Sequence, residues 1–250
     1  MESFDKLVSI METLRQKCPW DREQTHQSLK TYALEEVYEV LESIDKEDDQ
    51  NLQEELGDLL IQILFHSIIA NERGKFSLDD VLQTVSEKLI YRHPHVFSDT
   101  KVKDSTEVLH NWELLKKQEN KKSQFANVPT ILPALLKAYR VQSKAARVGF
   151  DWPDISGVWG KIEEEINELK EVIESHEKDH IREELGDLLF SVVNLARFLK
   201  VDPEDALRLT TDKFIRRFHF IEEELEKKGS SFNETTLEEM DKIWEQAKEK

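Results

Sequence analysis

The sequence predicts an all-α protein made of two tandem copies of one helical-bundle domain. Apolar residues recur at spacings of three and four through most of the 250 residues, the mark of helices with one buried face. Only 7 glycines and 6 prolines interrupt that pattern. The stretch EELGDLL stands twice, at Glu54 to Leu60 and at Glu183 to Leu189, 129 residues apart. That separation fits a duplicated domain and is too long for a short-period solenoid.

In chain order, the spacing predicts a first helix from Phe4 to Lys17, then a loop holding CPWDREQTH, then a second helix from Ser28 to Ile44. The acidic turn DKEDDQN ends it, and a third helix follows from Leu52 to Asn71. Ser77 with Asp80 forms a capping-box signature for a fourth helix, Leu78 to Arg92. After the loop HPHVFSDTKVKD, a fifth helix is expected over Ser105 to Asn120, carrying Trp112. The polar run that follows reads as a linker. Domain 1 is thus assigned to residues 1–120, the linker to 121–129 and domain 2 to 130–250.

The second half repeats the plan. Helices are expected over Thr130 to Arg147, Gly157 to Ser175 and Ile181 to Lys200, with the loop GFDWPD after the first. Asp202 and Pro203 suit the N-cap and first position of a long helix ending near Gly229, and a last helix begins near Thr236 and carries Trp244. At the offset of 129, EEVYE (Glu35 to Glu39) falls on EEINE (Glu164 to Glu168). Further on, Lys88 and Arg92 pair with Lys213 and Arg217, and Trp112 with Trp244.

Composition excludes several classes of function. LLIQILFHSIIA and LLFSVVNLARFL are too short and too polar to span a bilayer, and MESFDKLVSI lacks signal-peptide features. One cysteine, Cys18, permits no intrachain disulfide, which suits a reducing cytoplasm. A net charge of −17 argues against direct binding to nucleic acid or an anionic membrane, while leaving room for an anionic small molecule held through cations.

Residues three or four apart on a helix share a face, so Glu36 projects with Glu39, and Glu55 with Asp58. The 15 residues between Glu39 and Glu55 allow an antiparallel hairpin that opposes the two pairs, and the same gap separates Glu168 from Glu184, with Asp187 following. Carboxylates so placed repel by roughly 4 kcal/mol per close pair at an effective dielectric near 20. A positive ion should sit among them, and an all-oxygen donor set favours Mg²⁺, with Mn²⁺ as a substitute. Gly57 and Gly186 weaken their helices by about 1 kcal/mol each, which points to close helix packing at those positions.

EExxE, a 15-residue gap and ExxD, together with CPWDREQTH, HPHVF, VGFDWPD and KFIRRF, closely resemble the MazG nucleoside triphosphate pyrophosphohydrolases. The likeness covers essentially the whole chain as two tandem domains of the all-α NTP pyrophosphatase, MazG-like type. It implies Mg²⁺-dependent hydrolysis of nucleoside triphosphates, ATP among them, to monophosphate and pyrophosphate in nucleotide-pool control or house-cleaning. It also implies an all-α fold whose domains pair, and a homodimer is expected.

Carried over by position, the resemblance makes Glu165, Glu168, Glu184 and Asp187 the metal ligands, with Glu36, Glu39, Glu55 and Asp58 as counterparts. Glu164 is placed as a proton acceptor. Phosphate contacts fall on Lys161, Lys213 and Arg217, and base stacking on Trp244. The family's lysine before EExGD is represented here by His180 and Arg182. Two rival classes are a redox di-metal bundle and a nucleotide-binding regulator without turnover. The redox sites usually need Glu-x-x-His on paired helices. That motif occurs at Glu23/His26, Glu107/His110 and Glu177/His180, never at matching places in the two repeats. Repeat 1 has Tyr32 and Gln53 where repeat 2 has Lys161 and Arg182, so repeat 2 is expected to carry most of the turnover.

Overall fold

The computed structural model describes residues 2–105, 107, 108, 111, 112, 115, 125 and 128–248. Among them the chain forms eleven α-helices, one 3-10 turn and no strand. No helix among these residues is long and apolar enough to cross a membrane. The chain divides into two compact units, Met1–Lys121 and Lys122–Lys250.

Unit 1 contains α1 (Glu2–Lys17), α2 (Pro19–Glu23), α3 (Lys30–Asp45), α4 (Asp49–Glu72), α5 (Leu78–Arg92) and α6 (Pro94–Phe97). Two of these stand where the sequence predicts loop. Each opens on a proline at its first position, where the fixed φ favours a helical turn and the missing N–H costs nothing. The expected helix over Ser105 to Asn120 and most of the linker lie largely outside the described residues.

Met11, Leu29, Leu64, Phe65 and Ile69 form the core of unit 1. Arg15 ties that core's rim together, donating to the carbonyls of Asp21 and Gln24 and pairing with Glu72 at 2.8 Å. The capping box on α5 forms as expected, Ser77 accepting from the Asp80 N–H and Asp80 from the Ser77 N–H.

In unit 2 the order is α7 (Ala134–Ala146), α8 (Ile155–Ser175), α9 (Lys178–Phe198), α10 (Pro203–Lys227), the 3-10 turn Phe232–Glu234 and α11 (Leu237–Ala247). The caps explain the starts. Asp154 accepts from the Ser156 N–H, Asp202 from Glu204 and Asp205, and Thr236 pairs reciprocally with Glu239. Ile221, Leu225 and Ile243 join α10 to α11, with Trp244 packed against them.

The hairpin α3–α4 and the hairpin α8–α9 are the most extensive helix pairings of their units. Both turns pass through a left-handed residue at the same repeat position, Glu47 (φ 53°) and His176 (φ 59°), so the backbone reversal is duplicated along with the acids. In unit 1 the turn is pinned by Asn51, which donates to the Ser43 hydroxyl at 2.6 Å.

Gly57 and Gly186 do not mark close packing. A methyl group added at either would meet nothing within 4 Å. Both lie on open helix faces, beside Leu56 and Leu185, which are 51% and 46% exposed. The glycine that close packing does require is Gly157, where an added Cβ would come within 2.6 Å of the Trp152 ring.

Candidate metal centre and nucleotide site

On α8, Glu164, Glu165 and Glu168 rise along one face; on α9, Glu184 and Asp187 face them across the hairpin. One oxygen each from Glu165, Glu184 and Asp187 lies within 4.8 Å of the others, and Glu164, Glu165 and Glu168 form a second such group. Glu165 belongs to both. It is only 2% exposed, and one of its carboxylate oxygens is buried without a hydrogen-bond partner. Lys161, one turn earlier, bridges Glu164 at 2.7 Å and Glu165 at 2.5 Å. Those two hydrogen bonds, to Glu164 and then Glu165, raise the lysine's pKa and keep it charged.

Loss of hydration, then the charges of Glu165, Glu164 and Glu184, hold the Glu168 carboxyl above the ordinary carboxylate range, with Lys161 pulling the other way. A carboxyl whose pKa is raised by folding stabilises the fold only below its unfolded pKa, and that contribution is lost as pH rises through the folded value. Glu168→Gln in chelator is therefore expected to melt higher than the parent chain at neutral pH. The advantage should vanish as pH falls below the ordinary carboxylate range. Paired thermal melts over that pH series check it.

Unit 1 repeats the motif with a different neighbourhood. Glu36, Glu55 and Asp58 converge to within 4.8 Å, and Glu39 stands beside Glu55. Burial, then Asp58 and Glu39, raises the Glu36 pKa; the Gln62 amide, donating at 3.4 Å, opposes that shift. Tyr32 occupies the place of Lys161. Sequence reasoning missed Gln62, although it sits at the repeat position of Ser191, one turn beyond the last acid of each hairpin.

The other expected residues are placed as follows. His180 and Arg182, at the start of α9, are exposed and pair with Glu177 and Asp179. Arg217 stacks over Trp244 at 5.6 Å, and Trp244 packs on Phe214. In unit 1 Arg92 covers Trp112 in the same way at 5.5 Å, which bears out the pairing of these positions between repeats.

The donor set suits a hard divalent cation: it is carboxylate only, mutually repelling, and one buried oxygen of Glu165 has no other partner. Fold and site together define an all-α protein that concentrates acids on a helical hairpin. The family model for the MazG nucleotide pyrophosphohydrolase domain matches residues 24–97 and 158–220. A Thermotoga maritima protein described as nucleoside triphosphate pyrophosphohydrolase/pyrophosphatase MazG is 51% identical, covering 98% of this chain and 95% of the relative. The Escherichia coli K12 nucleoside triphosphate pyrophosphohydrolase is 42% identical over 99% of this chain and 98% of its own. A crystal structure of a MazG-related protein from Thermotoga maritima, 32% identical, aligns at a TM-score of 0.41 over 45% of this chain and 98% of that one. The chain belongs to the MazG nucleotide pyrophosphohydrolase family, and it is a hydrolase.

Proposed function

We propose that unit 2 is where this chain carries out its family's reaction, hydrolysis of a nucleoside triphosphate to the monophosphate and pyrophosphate. Mg²⁺ is the ion in this reading and Mn²⁺ its substitute. The observation that carries the proposal is Glu165: a buried carboxylate shared by two acidic groups, with one oxygen on Lys161 and the other unpartnered. Glu165, Glu168, Glu184 and Asp187 would hold the ion. When bound, such an ion neutralises phosphate charge and acidifies water.

The chain's own residues supply the rest. Lys161, kept charged beside the carboxylates, binds a phosphate oxygen. Glu164, more exposed than Glu165, accepts the proton of the attacking water. Lys213 and Arg217, one helical turn apart on α10, take the leaving pyrophosphate, and the Trp244 ring supports the Arg217 guanidinium stacked over it.

Incubation with ATP should release pyrophosphate and AMP, chelator should stop it, and Mg²⁺ or Mn²⁺ should restore it. Chromatography that shows ADP and orthophosphate instead would overturn attack at the α-phosphorus.

The same proposal treats residues 1–120 and 130–250 as the two MazG-like domains, the second being the main catalyst. It places the protein in the cytoplasm, without direct nucleic-acid contact at a net charge of −17. A second copy of the chain would cover the apolar faces of α4 and α9.

A further inference from the structure

Helix α7 packs against α9 and against α10, in each case more extensively than those two pack against each other. The acids of the centre stand on α8 and α9, and Lys213 and Arg217 stand on α10, so α7 joins the elements that carry the two halves of the site. Two hydrogen bonds fix it there. At its start Pro133 supplies no side-chain cap, and the Leu136 N–H donates instead to the Glu204 carboxylate of α10 at 3.2 Å. An N–H in the first turn of a helix needs such an acceptor, and here it comes from a residue 68 positions away. Farther along α7, the Gln142 amide nitrogen donates to the Phe190 carbonyl of α9 at 2.8 Å. Phe190 lies about one helical turn beyond Asp187.

Gln142 is only 7% exposed, and its amide oxygen is buried with no partner. An unpaired buried acceptor is a net cost to the fold, and methionine would fill a similar volume without it. The tie to α9 is what the amide supplies in return. Gln142 also lines an open cavity of about 830 Å³ together with Glu165 and Asp187, as do Trp152 and Ser191, so the tie stands beside the acids. In unit 1 the residue 129 positions earlier is Thr13, whose hydroxyl donates back to the Ser9 carbonyl of its own helix at 2.7 Å.

We propose that Gln142 and Glu204 are positioning residues for triphosphate hydrolysis: through α7 they set the separation between the acids of α9 and the cations of α10. Their role rests on unit 2 being the site of turnover, with Lys213 and Arg217 taking the pyrophosphate. A triphosphate that spans both halves is misaligned when α10 shifts against α9, while the carboxylates of the α8–α9 hairpin keep their places.

Gln142→Met in the full chain is expected to lower kcat for ATP by about tenfold and to weaken inhibition by inorganic pyrophosphate by a similar factor, the effect of one lost hydrogen bond. Its melting temperature in chelator should be no lower than the parent's. Its affinity for Mn²⁺, at the class of sites that Glu165→Gln removes, should stay within twofold. Glu204→Ala should act in the same direction, and Glu204→Gln, whose amide oxygen can still accept from Leu136, should recover most of the loss. In an Arg217→Ala background Gln142→Met should change kcat by no more than twofold, because the group it helps to position is gone; a purely structural effect would persist in full. The proposal is overturned by kcat and pyrophosphate inhibition within twofold of the parent in both Gln142→Met and Glu204→Ala, or by an undiminished Gln142→Met effect in the Arg217→Ala background. Absence of pyrophosphate release by the parent chain from any triphosphate would instead remove the reading of unit 2 on which it rests.

Discussion

Glu165→Gln should lower kcat by about a thousandfold or more while leaving far-UV circular dichroism unchanged. The substitution keeps the shape of the side chain and removes its charge. Glu165 is the one acid common to both groups on α8 and α9, and it is the most buried of them. Loss of its charge deprives a bound ion of a ligand and Lys161 of a partner at once. An ion that supplies several kcal/mol of transition-state stabilisation is worth three or more powers of ten in rate. Mn²⁺ titration by calorimetry should show one class of sites weakened or lost in the variant. Turnover within tenfold of the parent would remove Glu165 from the centre.

A large difference is also expected between the two units. Glu168→Ala should remove at least about 99% of turnover, and Glu39→Ala should cost no more than about threefold, for every triphosphate tried. Both hairpins concentrate acids, yet among the described residues only unit 2 places an ammonium among them: Lys161 touches Glu164 and Glu165, whereas Tyr32 stands at the corresponding place in unit 1. Charge-assisted hydrogen bonds to phosphate contribute about 1.5 to 3 kcal/mol each, so one such group alone is worth roughly tenfold to a hundredfold. In unit 1 a neutral amide, Gln62, approaches Glu36 instead. Should Glu39→Ala abolish activity while Glu168→Ala preserves it, the catalytic unit has been assigned to the wrong half.

The two hairpins were legible because their signals are local. The three-four spacing of acids that marks the hairpins, like the cap chemistry at Ser77, Asp202 and Thr236 that opens α5, α10 and α11, depends on residues within a turn or two of one another. Pro19–Glu23 and Pro94–Phe97 are too short to show a period, so they read as loop. The meaning of Gly57 and Gly186 was misread for another reason. Glycine in a helix serves both close approach and bare surface, and only the neighbouring element decides between them. The cavity was invisible for the same cause: Gln142, Trp152 and Ser191 come from three parts of the chain, and nothing in their sequence contexts records that they line one open cleft. Arg217 and Trp244 were matched correctly to Arg92 and Trp112, since alignment needs only order along the chain.

On the proposed pairing of two copies, the bare faces beside Gly57 and Gly186 make the enzyme's integrity a matter of how much of it there is. Leu56, Ile63, Leu185 and Leu189 are each between 45% and 51% exposed, more apolar surface on two helices than an isolated chain in water keeps at no cost. With a second copy of the chain covering them, as proposed, folding and association become one equilibrium governed by mass action. The melting temperature should then rise with protein concentration, and dilution alone should lower specific activity.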